Sequence, residues 1–271
     1  MKMHNKVIVV TGGGNGIGRE LALHLLSKGA RVAAVDIDES ALAELVGLAG
    51  GRKEHLSTHV LNITDKEAVE AFPEQVIARH GAVDGLINNA GVIQPFVRIN
   101  DLDYATIERV MNINFYGTVY MTKAFLPHLL QRPEAHVANV SSMGGFLPVP
   151  GQGVYGASKA AVKLMTEALY AELIDSNVRV TVIFPGAIGT NIVVNSGVAD
   201  SLDVNMEDAQ EGPMKPLPPA RAAEIIVNGM ERDRYEIFVG RDSTFMNFIY
   251  RVSPRRATRF ISKQMQSLLT K

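Results

Sequence analysis

Short apolar runs rich in β-branched residues alternate along this chain with longer segments in which apolar residues recur every three or four positions. The first pattern predicts strands and the second predicts helices. The predicted strands cover residues 6–11, 31–36, 54–62, part of 83–91, 134–142, 177–186 and 235–239. The predicted helices cover residues 17–29, 39–50, 65–81, 103–131, 154–176 and 219–231.

The predicted strands are almost continuously apolar, and helical segments separate them. This pattern is typical of parallel strands that are buried on both faces. With right-handed crossovers it predicts an α/β chain, a three-layer doubly wound Rossmann fold with a mainly parallel seven-stranded sheet. Residues 191–219 are too long for an ordinary connection and are interpreted as a substrate lid. We therefore expect residues 1–243 to form a single catalytic domain that includes this lid.

The last predicted unit is a tail, residues 244–271, with six Lys or Arg residues and no Asp or Glu. One helical face of the tail collects these side chains: Ala257, Phe260, Ile261, Gln264, Met265 and Leu268. One interpretation is a basic amphipathic helix in weak contact with a membrane surface. The other is a helix packed on the body, on another subunit or over the substrate mouth. Both stay open at the level of the sequence.

Composition limits the partners of the chain. Its 271 residues are 46% hydrophobic, which is enough for a large buried core, and the net charge of −1 argues against a nucleic-acid partner. No cysteine is present and the N-terminus lacks a signal-peptide pattern, so we expect a cytoplasmic location. The seven histidines show no metal-ligand spacing, and His55 and His59 are predicted to lie apart on one strand, so no metal is expected.

A glycine-rich turn, "TGGGNGIG" (11–18), stands between the first strand and the first helix. Glycines there allow a tight turn and a close approach to a pyrophosphate, which the free N–H groups of the next helix attract. Asp36, at the end of the second strand, can accept hydrogen bonds from ribose hydroxyls and would repel a 2′-phosphate. Neither Asn15 nor Ile37 is a base that could pair with that phosphate. The turn and this carboxylate predict NAD as cofactor.

Several motifs follow in order: "NNAG" (88–91), "NINFYG" (112–117), "SSMGG" (141–145), "YGASK" (155–159) and "PGAIGT" (185–190). With the glycine-rich turn, their order and spacing make the chain resemble the short-chain dehydrogenase/reductase family over roughly residues 5–240. The resemblance implies an oxidoreductase that uses a nicotinamide cofactor. It also implies a homodimer or homotetramer built through the two long helices at 103–131 and 154–176.

The pair Tyr155 and Lys159 carries the expected chemistry. Residues at i and i+4 share one face of a helix, so the phenol and the ammonium can lie close together. A free tyrosine has a pKa near ~10, and a neighbouring positive charge favours the phenolate. We therefore expect Lys159 to lower the pKa of Tyr155, which then serves as general base or acid.

The resemblance assigns the remaining site residues. It implies that Ser142, with Ser141 as competitor, holds the substrate oxygen, and that Asn114, with Asn112 as alternative, completes a proton relay to Lys159. The catalytic set is thus Asn114, Ser142, Tyr155 and Lys159. Asn88 is expected to stabilise the central strand or to touch the adenine ribose. The predicted cofactor contacts are Gly12, Asn15, Gly16, Ile17, Gly18, Asp36, Asn62, Ile63, Asn89, Ala90, Gly91, Tyr155, Lys159, Pro185, Gly186, Ile188 and Thr190.

The chain is therefore interpreted as an NAD-dependent oxidoreductase that interconverts a primary or secondary alcohol and its aldehyde or ketone. An apolar tail and an apolar lid, with Met143 and Met206 near the predicted pocket, favour a lipophilic small-molecule substrate. Two alternatives remain: a lyase or epimerase that retains NAD on the same fold, and a dinucleotide-sensing module without turnover.

Overall fold

The structure is a computed structural model that describes residues 1–198 and 215–265. One sheet of seven strands runs through these residues in the order β3-β2-β1-β4-β5-β6-β7, and every neighbouring pair is parallel. The strands are β1 Val7–Thr11, β2 Arg31–Asp36, β3 Leu56–Val60, β4 Gly85–Asn88, β5 Ala135–Val140, β6 Val178–Pro185 and β7 Glu236–Val239. The fold predicted from the hydrophobic pattern is confirmed.

Helices connect the strands and cover both faces of the sheet. They are α1 Gly16–Ser27, α2 Glu39–Ala49, α3 Lys66–His80, α4 Tyr104–Met111, α5 Gly117–Leu129, α6 Gly153–Glu172, α7 Ile192–Asn195, α8 Pro219–Met230, α9 Arg241–Val252 and α10 Pro254–Gln264. A π-helical turn, Asn112–Tyr116, joins α4 to α5, so the long segment predicted at 103–131 is helical with one irregular turn. The placement of His55 in a strand is wrong, because Gly50–His55 form a 3-10 turn that begins at Gly50 with φ +56°.

Alternate residues of β1 explain the three layers. Ile8 and Val10 point into one buried cluster, which contains α1 residues such as Leu21. Val7 and Val9 point into a second cluster on the opposite face, with the side chains of α3, α5 and α6. Because successive side chains of a strand point to opposite faces, a fully apolar strand requires cover on both sides. The sheet is therefore the middle layer of a helix–sheet–helix sandwich.

The carboxyl ends of the strands position the site. The chain order of the strands reverses between β1 and β4, and ligands of open α/β sheets bind in the crevice at such a point. Asn88, at the end of β4, donates its amide to Thr122 Oγ1 at 3.0 Å and to Asn139 Oδ1 at 2.8 Å. Its side chain therefore links β4 to β5 and to α5. Of the two roles that the sequence left open for Asn88, these hydrogen bonds support the stabilisation of the central strand.

After β7, residues 241–264 form two helices that fold back onto the body. α9 starts at Arg241, so it crosses the predicted boundary between residues 243 and 244. Helix α10 ends at Gln264, and Leu268 of the predicted tail lies outside the described residues. Leu217, in the second described part of the predicted lid, pairs with Ile188, which precedes the lid in the chain. Residues 199–214, which include Met206, also lie outside the described residues.

Candidate active site

A cleft of about 650 Å³ runs along the carboxyl edge of the sheet. Every residue predicted to contact the cofactor lines it except Gly18, and Ser142 lines it as well. Asp36, Asn62 and Ile63 lie at one end, Tyr155 and Lys159 lie at the other, and the glycine-rich turn lies between them. The tertiary structure thus brings together segments that are more than a hundred residues apart in the chain.

The glycine-rich turn before α1 exposes its backbone to the cleft. Gly12 has φ +64°, and a Cβ there would come within 2.9 Å of Ala90 Cα. A Cβ on Gly18 would lie 1.9 Å from Gly12 O, so Gly18 keeps the turn closed without lining the cleft. No side chain caps the N-terminus of α1, which leaves its first N–H groups for an anion. This cradle fits the pyrophosphate of a dinucleotide.

Asp36 is held firmly in the wall of the same cleft. Its Oδ2 accepts from Gly14 N at 2.9 Å, and its Oδ1 accepts from Asp38 N at 3.2 Å. The nearby guanidinium of Arg19 donates to Gly14 O at 2.6 Å, to Asn15 Oδ1 at 3.3 Å and to Glu44 at 2.8 Å. Arg19 is therefore already engaged by other partners close to the Asp36 carboxylate.

Tyr155 and Ser142 meet at the opposite end of the cleft. Burial raises the pKa of the Tyr155 phenol, and a hydrogen bond with Ser142 acts in the opposite direction and lowers it. Ser142 Oγ also accepts from Gly144 N at 3.0 Å. Ser141 Oγ instead donates to Lys159 O at 2.7 Å and is buried. Of the two candidate serines, Ser142 is the one beside the phenol.

Lys159 lies one helical turn after Tyr155 and is buried. Its Nζ donates to Val140 O at 3.0 Å, at the end of β5, and burial lowers the pKa of Lys159 to about 8. The sequence predicted that this ammonium lowers the pKa of Tyr155. That effect stays a prediction: in the structure burial raises the pKa of Tyr155, the Ser142 hydrogen bond lowers it, and Lys159 Nζ donates to Val140 O.

Asn114 lies in the π-helical turn and is fully buried, whereas the alternative, Asn112, is exposed. Asn114 Oδ1 accepts from Val92 N at 2.8 Å, and its Nδ2 donates to Val92 O and to Ser158 Oγ, both at 2.9 Å. A Cβ built on Gly91 would lie 3.1 Å from Asn114 Oδ1 and 3.0 Å from Lys159 Nζ. Asn114 therefore supports the loop after β4 and lies close to the lysine, although it does not line the cleft.

Gln94 is a site residue that the sequence did not reveal. Its buried Oε1 accepts from the N–H groups of Val154 and Tyr155, each at 2.9 Å, and its Nε2 donates to Gly151 O at 3.0 Å. Gln152 Nε2 returns a hydrogen bond to Gln94 O at 2.8 Å. Gln94 thus caps the helix that carries Tyr155. No local signal predicts such a cap, since its partners lie about sixty residues away in the chain.

Asp242 is a second such residue. Its Oδ2 accepts from Ala187 N at 2.6 Å, and a Cβ on Gly186 would lie 2.2 Å from the same oxygen. The first turn of α9 therefore supports the loop after β6 that lines the cleft. Further lining residues that the sequence did not single out are Val92, Ile93, Arg109, Ile113, Ile192 and Asn195.

Comparisons with known proteins agree with this geometry. Residues 6–200 match the family model described as short chain dehydrogenase. The chain is 36% identical to the SadH protein of Mycobacterium tuberculosis over 250 residues, which cover 91% of this chain and 90% of SadH.

Two solved structures from Burkholderia are also similar. One is a short chain dehydrogenase/reductase from Burkholderia phymatum in complex with NAD, with a TM-score of 0.79, 25% identity, and coverage of 88% of this chain and 90% of that chain. The other is a short chain dehydrogenase from Burkholderia cenocepacia in complex with NADP, with a TM-score of 0.80, 25% identity, and coverage of 96% and 99%.

Proposed function

The chain belongs to the short-chain dehydrogenase/reductase family, and from that premise we propose that it oxidises a primary or secondary alcohol, or reduces the aldehyde or ketone, with NAD. The observation that carries this proposal is the meeting of Ser142, Tyr155 and Lys159 at one end of a cleft whose other end fits a dinucleotide. A nicotinamide cofactor held in this cleft would supply the hydride chemistry, as acceptor in the form of NAD+ for alcohol oxidation and as donor in the form of NADH for carbonyl reduction.

The preference for NAD over NADP rests on Asp36. Its carboxylate faces the end of the cleft where an adenine ribose would bind, and two backbone N–H groups fix it there. A 2′-phosphate at this point would meet a negative charge, whereas ribose hydroxyls would donate hydrogen bonds to it. Arg19, the cation beside the turn, is engaged by Glu44 and by Gly14 O and would have to leave them to pair with a phosphate.

Tyr155 is proposed to move the proton of the substrate hydroxyl. In oxidation the phenolate accepts this proton, and in reduction the phenol donates one to the carbonyl oxygen. Ser142 holds the same substrate oxygen and, by its hydrogen bond to Tyr155, favours the phenolate. Lys159 supplies a buried positive charge within the same pocket, and Asn114 beside it completes the proposed proton relay.

A lipophilic substrate is supported by apolar residues in the lining of the cleft. Val92, Ile93 and Ile192 line it, and Val92 packs in the same small cluster as Tyr155. Apolar walls stabilise an apolar substrate by removing its surface from water, at about 25 cal/mol per Å². We therefore propose an alcohol or ketone with an apolar body rather than a sugar.

Replacement of Tyr155 by Phe tests the reaction. We expect kcat for alcohol oxidation to fall by roughly 10²- to 10⁴-fold, because only the proton-transferring hydroxyl is removed. NADH formation is followed by absorbance across a panel of aliphatic, aromatic and polycyclic alcohols. Tyr170→Phe, at the far end of the same helix, is the matched control and should keep the parent rate.

Three outcomes would contradict the proposal. A Tyr155→Phe enzyme with the parent rate would remove the assigned acid-base. Conversion of substrate without net change of NADH would favour a lyase or epimerase. Tight NAD binding without turnover on the whole panel would favour a sensing module.

We also propose that the chain forms a homodimer or homotetramer through α4, α5 and α6. Large apolar side chains remain exposed on α4, on the π-helical turn before α5 and on α6, among them Tyr104, Tyr116 and Leu164. Burial of such a surface against a second copy is a common way to remove it from water. A monomer mass by light scattering at micromolar concentration would exclude this assembly.

A further inference from the structure

The inner side of α9 is joined directly to the cleft. Ser243 Oγ donates to Phe184 O at 2.8 Å, and the Asp242 carboxylate accepts from Ala187 N at 2.6 Å. Phe184 belongs to β6, and Ala187 belongs to the loop that lines the cleft after that strand. α9 is therefore part of the site's framework rather than a free tail.

The inner faces of α9 and α10 pack against the body of the protein. Met246 of α9 and Ala257 of α10 are buried in one cluster with Leu147, a residue of the segment that follows Ser142. Partly buried side chains complete this cluster: Met143, Phe146, Ile249, Tyr250 and Ile261. The core thus already covers the apolar residues on this side of both helices.

The outer side of α9 carries a second apolar row. Phe245, Phe248 and Val252 are 54%, 67% and 70% exposed, and their i, i+3, i+7 spacing places them on one stripe of the helix. On α10, Phe260 is 46% exposed. Exposed phenyl rings are unfavourable in water, so several in succession indicate a surface that another phase or molecule covers.

From residue 243 to residue 265, every charged side chain of the two helices is basic. Arg251, Arg255, Arg256, Arg259 and Lys263 are exposed, and residues 243–265 contain no Asp or Glu. The neighbouring acid, Asp242, is turned inward to Ala187 N. Of the five cations, Arg251 is paired, with Glu236 at 3.0 Å. Rings and cations together form what we call the α9–α10 face, defined by Phe245, Phe248, Val252, Phe260 and these five basic residues.

We propose that the α9–α10 face docks on the surface of a bilayer that contains anionic lipids. Exposed phenyl rings enter the boundary between headgroups and acyl chains, and Arg and Lys side chains are attracted to anionic headgroups. A second copy presenting the same face would oppose like charges and be repelled. Within the described residues no helix is long and apolar enough to cross a membrane, so the contact is peripheral.

This docking goes beyond the proposed reaction and does not depend on it. Docking would also set the position of the cleft, because the two helices of the α9–α10 face pack on the segment after Ser142 and on the loop after β6. The substrate end of the cleft would then lie close to the lipid surface.

Co-sedimentation of the full chain with vesicles tests this inference. Vesicles of phosphatidylcholine alone are compared with vesicles in which phosphatidylglycerol replaces part of it, at low and high salt. We expect binding to the anionic vesicles that weakens as salt rises. Arg255→Glu with Arg256→Glu should weaken it by at least roughly 20-fold, since each basic residue near an anionic surface is worth about fivefold in affinity.

Matched controls test whether binding depends on this face rather than on the total charge or apolar surface of the protein. Arg52→Glu with Lys53→Glu changes another adjacent pair of exposed cations by the same charge and should bind like the parent. Phe245→Ser with Phe248→Ser should also lose binding, whereas Val46→Ser with Leu48→Ser, a pair of exposed apolar residues on α2, should not. Circular dichroism and NADH binding verify that each variant is folded.

Three results would overturn the inference. The first is equal sedimentation with neutral and anionic vesicles. The second is no loss of binding in the arginine and phenylalanine variants. The third is self-association that depends on Phe245 and Phe248 in the absence of lipid binding, which would assign the face to a contact between copies.

Discussion

At the end of β2, one carboxylate illustrates how a single residue can select a cofactor. Asp36 is anchored by Gly14 N and Asp38 N, so it does not turn away from the ligand that binds beside it. Two unit charges of the same sign about 4 Å apart near a protein surface repel by up to about 4 kcal/mol. This is enough to decide between a ribose and a ribose phosphate.

Asp36→Asn tests that selection. The amide keeps the size of the side chain and an acceptor oxygen for Gly14 N, but it removes the charge. We expect the parent to prefer NAD+ over NADP+ by roughly 100-fold or more in kcat/KM, and the variant to narrow this ratio by about 10- to 100-fold, mainly through better use of NADP+. Initial rates with both cofactors provide the measurement. Equal use of the two by the parent would refute the role of Asp36.

At the scale of elements, α6 depends on a cap from a distant loop. Its first free N–H groups, at Val154 and Tyr155, are satisfied by Gln94 Oε1 rather than by a residue of the preceding turn. Because the cap bonds the backbone of Tyr155 itself, it fixes where the phenol lies in the cleft. The loop that carries Gln94 is held in turn by Ser196, whose Oγ accepts from Ile93 N at 3.0 Å.

Gln94→Ala should therefore lower kcat by roughly 10-fold or more, with a smaller change in the KM for NAD+. Loss of the cap costs about 0.5–2 kcal/mol of stability in addition. Asp103→Ala is the control, since Asp103 Oδ1 caps α4 through Thr106 N at 2.7 Å and lies outside the cleft lining. It should lower the melting temperature comparably without a change in kcat. If both variants lose kcat equally, Gln94 has no positioning role.

At the scale of the whole molecule, two buried histidines link stability to pH. Burial lowers the pKa of His80 to about 4 and that of His136 to about 3. Each is held through its Nε2, His80 by Ser57 Oγ at 2.7 Å and His136 by Thr181 Oγ1 at 2.8 Å. Both rings stay neutral in the folded chain at pH values where an exposed histidine is already charged.

Below pH ~6.5 the unfolded chain binds protons that the folded chain does not, so stability falls as the pH drops toward the folded-state pKa values. At pH ~5 each of the two histidines should cost about 2 kcal/mol. His80→Asn should reduce the loss of unfolding free energy between pH ~7 and pH ~5 by about this amount, as measured by urea denaturation. An unaltered pH dependence in His80→Asn would contradict this account.

The fold was predictable because its signals are local. Continuous apolar runs such as "VIVV" in β1 require cover on both faces, and seven such runs with helices between them leave one architecture. The wrong placement of His55 lies at an element boundary, where a 3-10 turn begins at Gly50. Family membership was predictable for a related reason, since the motifs keep their order along the chain, and the comparisons confirmed it.

The sequence by itself determined which residues stand at the ends of the strands, and with them the composition of the cleft from Gly12 to Thr190. Only the tertiary structure decided their environment. The pKa of Tyr155 depends on desolvation by the cleft walls and on Ser142, and the cap on its helix comes from Gln94. Periodicity and motif spacing report on residues that are close together in the chain. Burial and hydrogen bonding between segments far apart in the chain exist only once the sheet has assembled.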